Sequence, residues 1–100
     1  MSSLINGAQI RYHMRLFFQR QQTRSRSKLY GLLLEEVEGL LLATHQLPLE
    51  LGKLRHRLRG LCCYLNIEQL VIVNQTQNLV ELRLTLQALH DNILAIADEI

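Results

Sequence analysis

Proline is almost missing from this 100-residue chain, which has only Pro48. Glycine occurs five times and tryptophan not at all. A strand-and-turn fold needs turn residues at its many corners, so their scarcity favours helices. The only cysteines, Cys62 and Cys63, are neighbours. Neighbours cannot staple distant elements, which excludes a disulfide framework within one chain and makes a reducing, cytoplasmic setting the expectation. No apolar run approaches the length of a bilayer span, and no N-terminal apolar core precedes a small-residue cleavage site. A transmembrane helix and a signal peptide are therefore not expected. A glycine-rich phosphate loop, a zinc-finger spacing, an aromatic RNA-binding stretch and a lipidation signal are also missing. No specific catalytic or binding motif remains.

Leucine is abundant, with 23 copies, and hydrophobic residues reach 48%. That content can build a core, so a disordered tail is excluded and a single domain over 1–100 is expected. Charge is laid down in blocks. Residues 1–34 carry Arg11, Arg15, Arg20, Arg24, Arg26 and Lys28 and no acid. Glu35, Glu36, Glu38 and Glu50 follow without a Lys or Arg between them, and then Lys53, Arg55, Arg57 and Arg59 return the chain to basic. Such blocks suit pairing within the fold or between subunits, or a basic face for an anion.

Ile10, Met14, Phe17 and Phe18 recur at helical spacing, and Asn6 with Gln9 resembles a capping pair, so a first helix is predicted over about 7–23. "TRSRS" at 23–27 reads as a polar connection in which Ser25 or Ser27 caps a second helix over about 28–45. That helix holds two triple-leucine runs and is apolar nearly all round, which places it at the centre of a bundle or in contact with a second subunit. Gly31 and Gly39 offer a close helix approach. Pro48 fits the first turn of a third helix, with Leu51, Leu54, Leu58, Leu61 and Leu65 in one stripe and Asn66 with Gln69 as a second capping pair. Leu79, Leu82, Leu86, Leu89, Ile93, Ile96 and Ile100 then follow a heptad pattern. The stretch "LVELRLTL" also alternates like a strand, and "LVIV" offers it a hairpin partner. The heptad is the longer signal. The expected fold is all-α, a small bundle of three or four helices, oligomeric, with a hairpin at about 70–86 as the lesser alternative.

The stretch "KLRHRLRGLCCYL" at 53–65 is a basic amphipathic helix. If helices two and three form an antiparallel hairpin, Glu35, Glu36 and Glu38 lie level with residues 56–59, and the basic cluster is answered internally. The competing reading sets Arg11, Arg15, Arg20, Arg24, Arg26, Lys28, Arg55 and Arg59 against phosphates, with Gln19, Gln21 and Gln22 near backbone or bases. A membrane surface is disfavoured by the narrow apolar face of helix one.

Metal and catalytic chemistry find little support. Adjacent cysteines on a helix point about 100° apart. Cys62 with Cys63 and His56 therefore make a poor ligand set, with Cys62 on the margin of the leucine stripe and Cys63 more exposed. His90–Asp91 resembles the His-Asp pair of metal-dependent phosphohydrolases but lacks the further ligands. His13 and His45 have no suggestive neighbours. No enzyme, cofactor, metal or small-molecule substrate is expected. The informative feature is surplus apolar surface. Val80, Leu84 and Leu94 fall on outer heptad positions, and Arg83, Thr85, His90 and Asn92 leave the flanking positions poor in charge. The expectation is a non-enzymatic protein-interaction module, such as a small adaptor, chaperone or regulatory subunit. Its partner would be a homodimer mate or another protein's helix, met through Leu34, Val37, Leu41, Leu82, Leu86, Leu89, Ile93 and Ile96. A small basic nucleic-acid-binding regulator is the alternative.

Overall fold

The computed structural model describes residues 7–65, 67 and 78–100. Four α-helices occur among them: α1 (Gly7–Gln19), α2 (Thr23–Ala43), α3 (Leu51–Tyr64) and α4 (Leu79–Ala95), followed by a 3-10 turn at Ala97–Glu99. The all-α bundle is as the heptad and leucine patterns require. Residues 79–86 are helical, so the strand reading of "LVELRLTL" is overturned. The Asn66–Gln69 cap, the "LVIV" strand and most of "NQTQN" lie outside the described residues, as does Asn6 of the first capping pair.

The helix α4 starts where its chemistry tells it to. The Asn78 side chain accepts the Glu81 backbone N–H at 2.8 Å and donates to the Glu81 carboxylate at 2.7 Å. This is an N-cap reinforced by a side-chain pair, and the carboxylate also suits the positive end of the helix.

The corner between α1 and α2 is tighter than its polar sequence implies. The first helix ends at Gln19 and the second begins at Thr23, so "TRSRS" is helix rather than connection. Ser25 and Ser27 lie inside α2 and do not cap it. Arg26 explains the difference. Its Nε donates to Phe18 O at 2.9 Å and Gln21 O at 3.3 Å, and its Nη2 to Gln19 O at 3.4 Å. A cation is unfavourable in the first turn of α2 but favourable at the C-terminal carbonyls of α1. A tight corner places both ends together, and the second effect prevails.

The helices α2 and α4 run antiparallel. Tyr30 donates to Ile93 O at 2.9 Å near one end, and Arg83 meets Thr44 near the other. Burial, and secondly the Asp98 carboxylate, hold the Tyr30 phenol above its ordinary value. The helix α1 lies along α4 in the same direction, with Arg11 on Asn92 and Arg15 on Glu99. The central helix is therefore α4 rather than α2. It buries Leu82, Thr85, Leu86, Leu89, Asn92 and Ile93, while α2 buries Leu33, Val37 and Leu40 and leaves Leu32 and Leu42 exposed. The buried polar residues are satisfied: Thr44 donates to Leu41 O, Thr85 to Glu81 O and Asn92 to Ala88 O.

The helix α3 packs on α2 through Leu54, Leu58 and Cys62, with Leu65 just beyond. Arg57 donates to Glu36 at 3.0 Å, the register that the antiparallel hairpin demands. Pro48 lies in the bend before α3 and outside its first turn, which Glu50 precedes. The helix α2 has already ended at Ala43, capped by Thr44.

Gly31 and Gly39 do not bring helices together. A Cβ built on either meets nothing within 4 Å. Each is a glycine in a helix interior with no packing role, so Gly31→Ala with Gly39→Ala should stabilise the protein by about 1–2 kcal/mol in total. Urea denaturation followed by circular dichroism measures it. A loss of stability would show that the helix surroundings are closer than described.

Candidate interaction surface

Most of the leucines offered above as an interface form the core of a single chain. Val37, Leu82, Leu86, Ile93 and Ile96 have no exposed surface, and Leu89 has 1%. They belong to the hydrophobic core of the bundle, so they present nothing to a partner in this fold. Leu34 and Leu41 are only partly buried. The heptad pattern marked the inner face of α4, and the opposite face carries the surplus.

On that opposite face Val80 is 63% exposed, Leu84 63% and Leu94 48%. With Gln87 and Asp91 they make a stripe at spacings of four, three, four and three residues. Beside it lies a groove of about 360 Å³ between α2 and α4, lined by Leu41, His45, Val80, Arg83, Leu84 and Gln87. Exposed aliphatic side chains clustered along a groove mark an interaction site more often than scattered ones do.

Polar groups hold this face in shape. Arg83 donates through Nη2 to Thr44 O at 2.7 Å and through Nε to Thr44 Oγ1 at 3.2 Å. These bonds satisfy the C-terminal end of α2 and fix α2 against α4. Arg83 Nη2 also lies 3.1 Å from His45 Nδ1. A guanidinium only donates, so Nδ1 accepts and the His45 ring is held as the Nε2–H tautomer. Two turns further along, His90 Nε2 meets Glu38 Oε2 at 3.1 Å, while its Nδ1 is buried without a partner. Asp91 points elsewhere and accepts from Gln87 at 3.0 Å. The side chains of the His90–Asp91 dipeptide thus diverge.

A smaller groove of about 230 Å³ lies between α2 and α3, with Leu32 and Tyr64 exposed on its rim. Leu42 and Leu47 are exposed near the α2–α3 connection.

The basic residues are not one surface. Arg11 Nη1 donates to Asn92 Oδ1 at 2.8 Å, Arg15 pairs with Glu99 at 2.8 Å, and Arg26 holds the end of α1. These three are structural within the fold. Reversing Arg11 and Arg15 to Glu would disturb the α1–α4 contact itself, so it cannot isolate nucleic-acid binding. Arg20, Arg24 and Lys28 stay exposed at the α1–α2 corner, while Arg55 and Arg59 lie on α3, the first half-buried and the second exposed. Arg55 Nε is buried without a hydrogen bond.

Cys62 is buried and Cys63 exposed, as their helix positions require. Among the described residues no three His, Cys, Asp or Glu side chains gather as a metal site, and no helix is long and apolar enough to cross a membrane. The chain matches no protein-family model, no curated protein and no solved structure, so its surface has to be read from its own geometry.

Proposed function

We propose that this protein is a non-enzymatic interaction module of the cytoplasm, a small adaptor, chaperone or regulatory subunit. It docks a protein helix on the outer face of α2 and α4. The observation that carries the reading is the exposed heptad-spaced stripe of Val80, Leu84 and Leu94 beside Leu41. A helix laid on that stripe removes apolar surface from water, at roughly 25 cal/mol per Å² buried. Leu34 and Leu41 remain in this interface. The others named from the sequence serve it indirectly, by holding α4 in place. An exposed thiol at Cys63 suits a reducing compartment.

A second reading has one supporting observation. Arg20, Arg24 and Lys28 are exposed together at the α1–α2 corner, in a stretch of sequence without acids. That corner can meet phosphates.

One experiment addresses both. A photo-crosslinking amino acid is placed at Leu84, and separately at Lys28, in the full chain within its native cells. A discrete protein adduct at Leu84 and none at Lys28 is expected. No adduct at Leu84 would overturn the docking reading. A nucleic-acid adduct at Lys28 would move the function to the basic corner.

A further inference from the structure

We propose that the occupant of the α2/α4 face is a second copy of this chain, docked with its α4 antiparallel about a two-fold axis level with Gln87. This rests on the docking reading above and names its partner. The argument is self-complementarity. Val80 lies seven residues before Gln87 and Leu94 seven after it. Arg83 lies four before and Asp91 four after. Antiparallel packing centred on Gln87 brings Val80 of one copy level with Leu94 of the other, and Arg83 level with Asp91. The symmetry makes each contact twice.

The charges choose this arrangement. A parallel pair would set Arg83 against Arg83 and Asp91 against Asp91, and like charges across an interface are unfavourable. The groups are available for the task. Asp91 is exposed, and Arg83 Nη1 takes no part in the bonds that hold Thr44 and His45. The helix α2 lies on the Arg83 and His90 side of the stripe, where both residues reach it. The axis keeps that side common to both copies, so the two α2 helices also meet, along the partly buried Leu34 and Leu41. A stripe at four-three spacing is what another helix needs in order to pack lengthwise. A two-fold contact also closes on itself, covering the stripe without building a fibre.

The test uses the full chain with Cys63→Ser, Cys62 being buried. Sedimentation equilibrium should show a dimer at concentrations up to about 100 µM. Gln87→Cys, on the axis, should oxidise to a covalent dimer. Val80→Cys should not, because its two copies would be about 20 Å apart along the helices. Asp91→Lys, at an exposed position, should weaken dimerisation by about tenfold or more while leaving the circular dichroism spectrum unchanged. A chain that stays monomeric overturns the second-copy proposal, and the Leu84 crosslink then judges the docking reading alone. A dimer that crosslinks through Val80 and not Gln87, or that ignores Asp91→Lys, overturns the proposed geometry.

Discussion

Leu86→Asp unfolds this protein at every concentration. Leu86 has no exposed surface and sits mid-way along the central helix, with Leu82, Leu89 and Ile93 on the same face. It sits in the hydrophobic core, so the substitution buries a carboxylate among apolar side chains or forces the bundle open. The expected loss exceeds about 4 kcal/mol, a large fraction of the 5–15 kcal/mol that holds a typical domain together. Thermal melting by circular dichroism reads the loss directly. Leu84→Asp, two residues away, is the companion measurement. Its side chain is exposed in the single chain, so at concentrations where the chain is monomeric the fold should melt within about 0.5 kcal/mol of the parent. Equal effects from the two variants would mean that α4 is not seated as described.

The second large effect is regional. Leu58→Asp should detach α3 and leave the other three helices folded. Leu58 is fully buried between α3 and α2, and Leu54 and Cys62 flank it on the same stripe. The helices α1, α2 and α4 are cross-linked by side chains independently of α3: Arg11 to Asn92, Tyr30 to Ile93 O, Arg83 to Thr44 and His90 to Glu38. The Arg57–Glu36 pair that joins α3 to α2 is exposed, where such pairs contribute about 0–1 kcal/mol. Hydrogen exchange should lose its protection over 51–64 and keep it over 82–93. Circular dichroism should fall by the 14 residues of α3. Loss of protection throughout would show that α3 and the rest form one cooperative unit.

Much of this architecture is legible in the residues alone. The recurrence of Ile10, Met14 and Phe17, the α3 leucine stripe and the α4 heptad each name a helix and its buried face, because side chains three and four apart share a side. The level meeting of Glu36 with Arg57 follows from hairpin arithmetic. The Asn78 cap with Glu81 is legible as Asn-x-x-Glu, but the strand-like alternation that follows competes with it. The exposure of Val80, Leu84 and Leu94 also follows from the heptad frame.

Tertiary structure decided the rest. Composition made α2 the candidate for the centre, yet α4 occupies it, because which of several apolar helices is surrounded depends on how all of them are arranged. A run of polar residues reads alike as a loop or as the wet side of a helix. In the folded chain Arg26 reaches the carbonyls at the end of α1, and residues 23–27 are helical. The basic block of 1–34 was one block only along the chain. In space Arg11 and Arg15 turn to α4 and the turn after it, Arg26 turns to the end of α1, and Arg20, Arg24 and Lys28 face water. Periodicity says which residues leave water together. Whether they meet their own chain or another depends on distances that no local pattern contains.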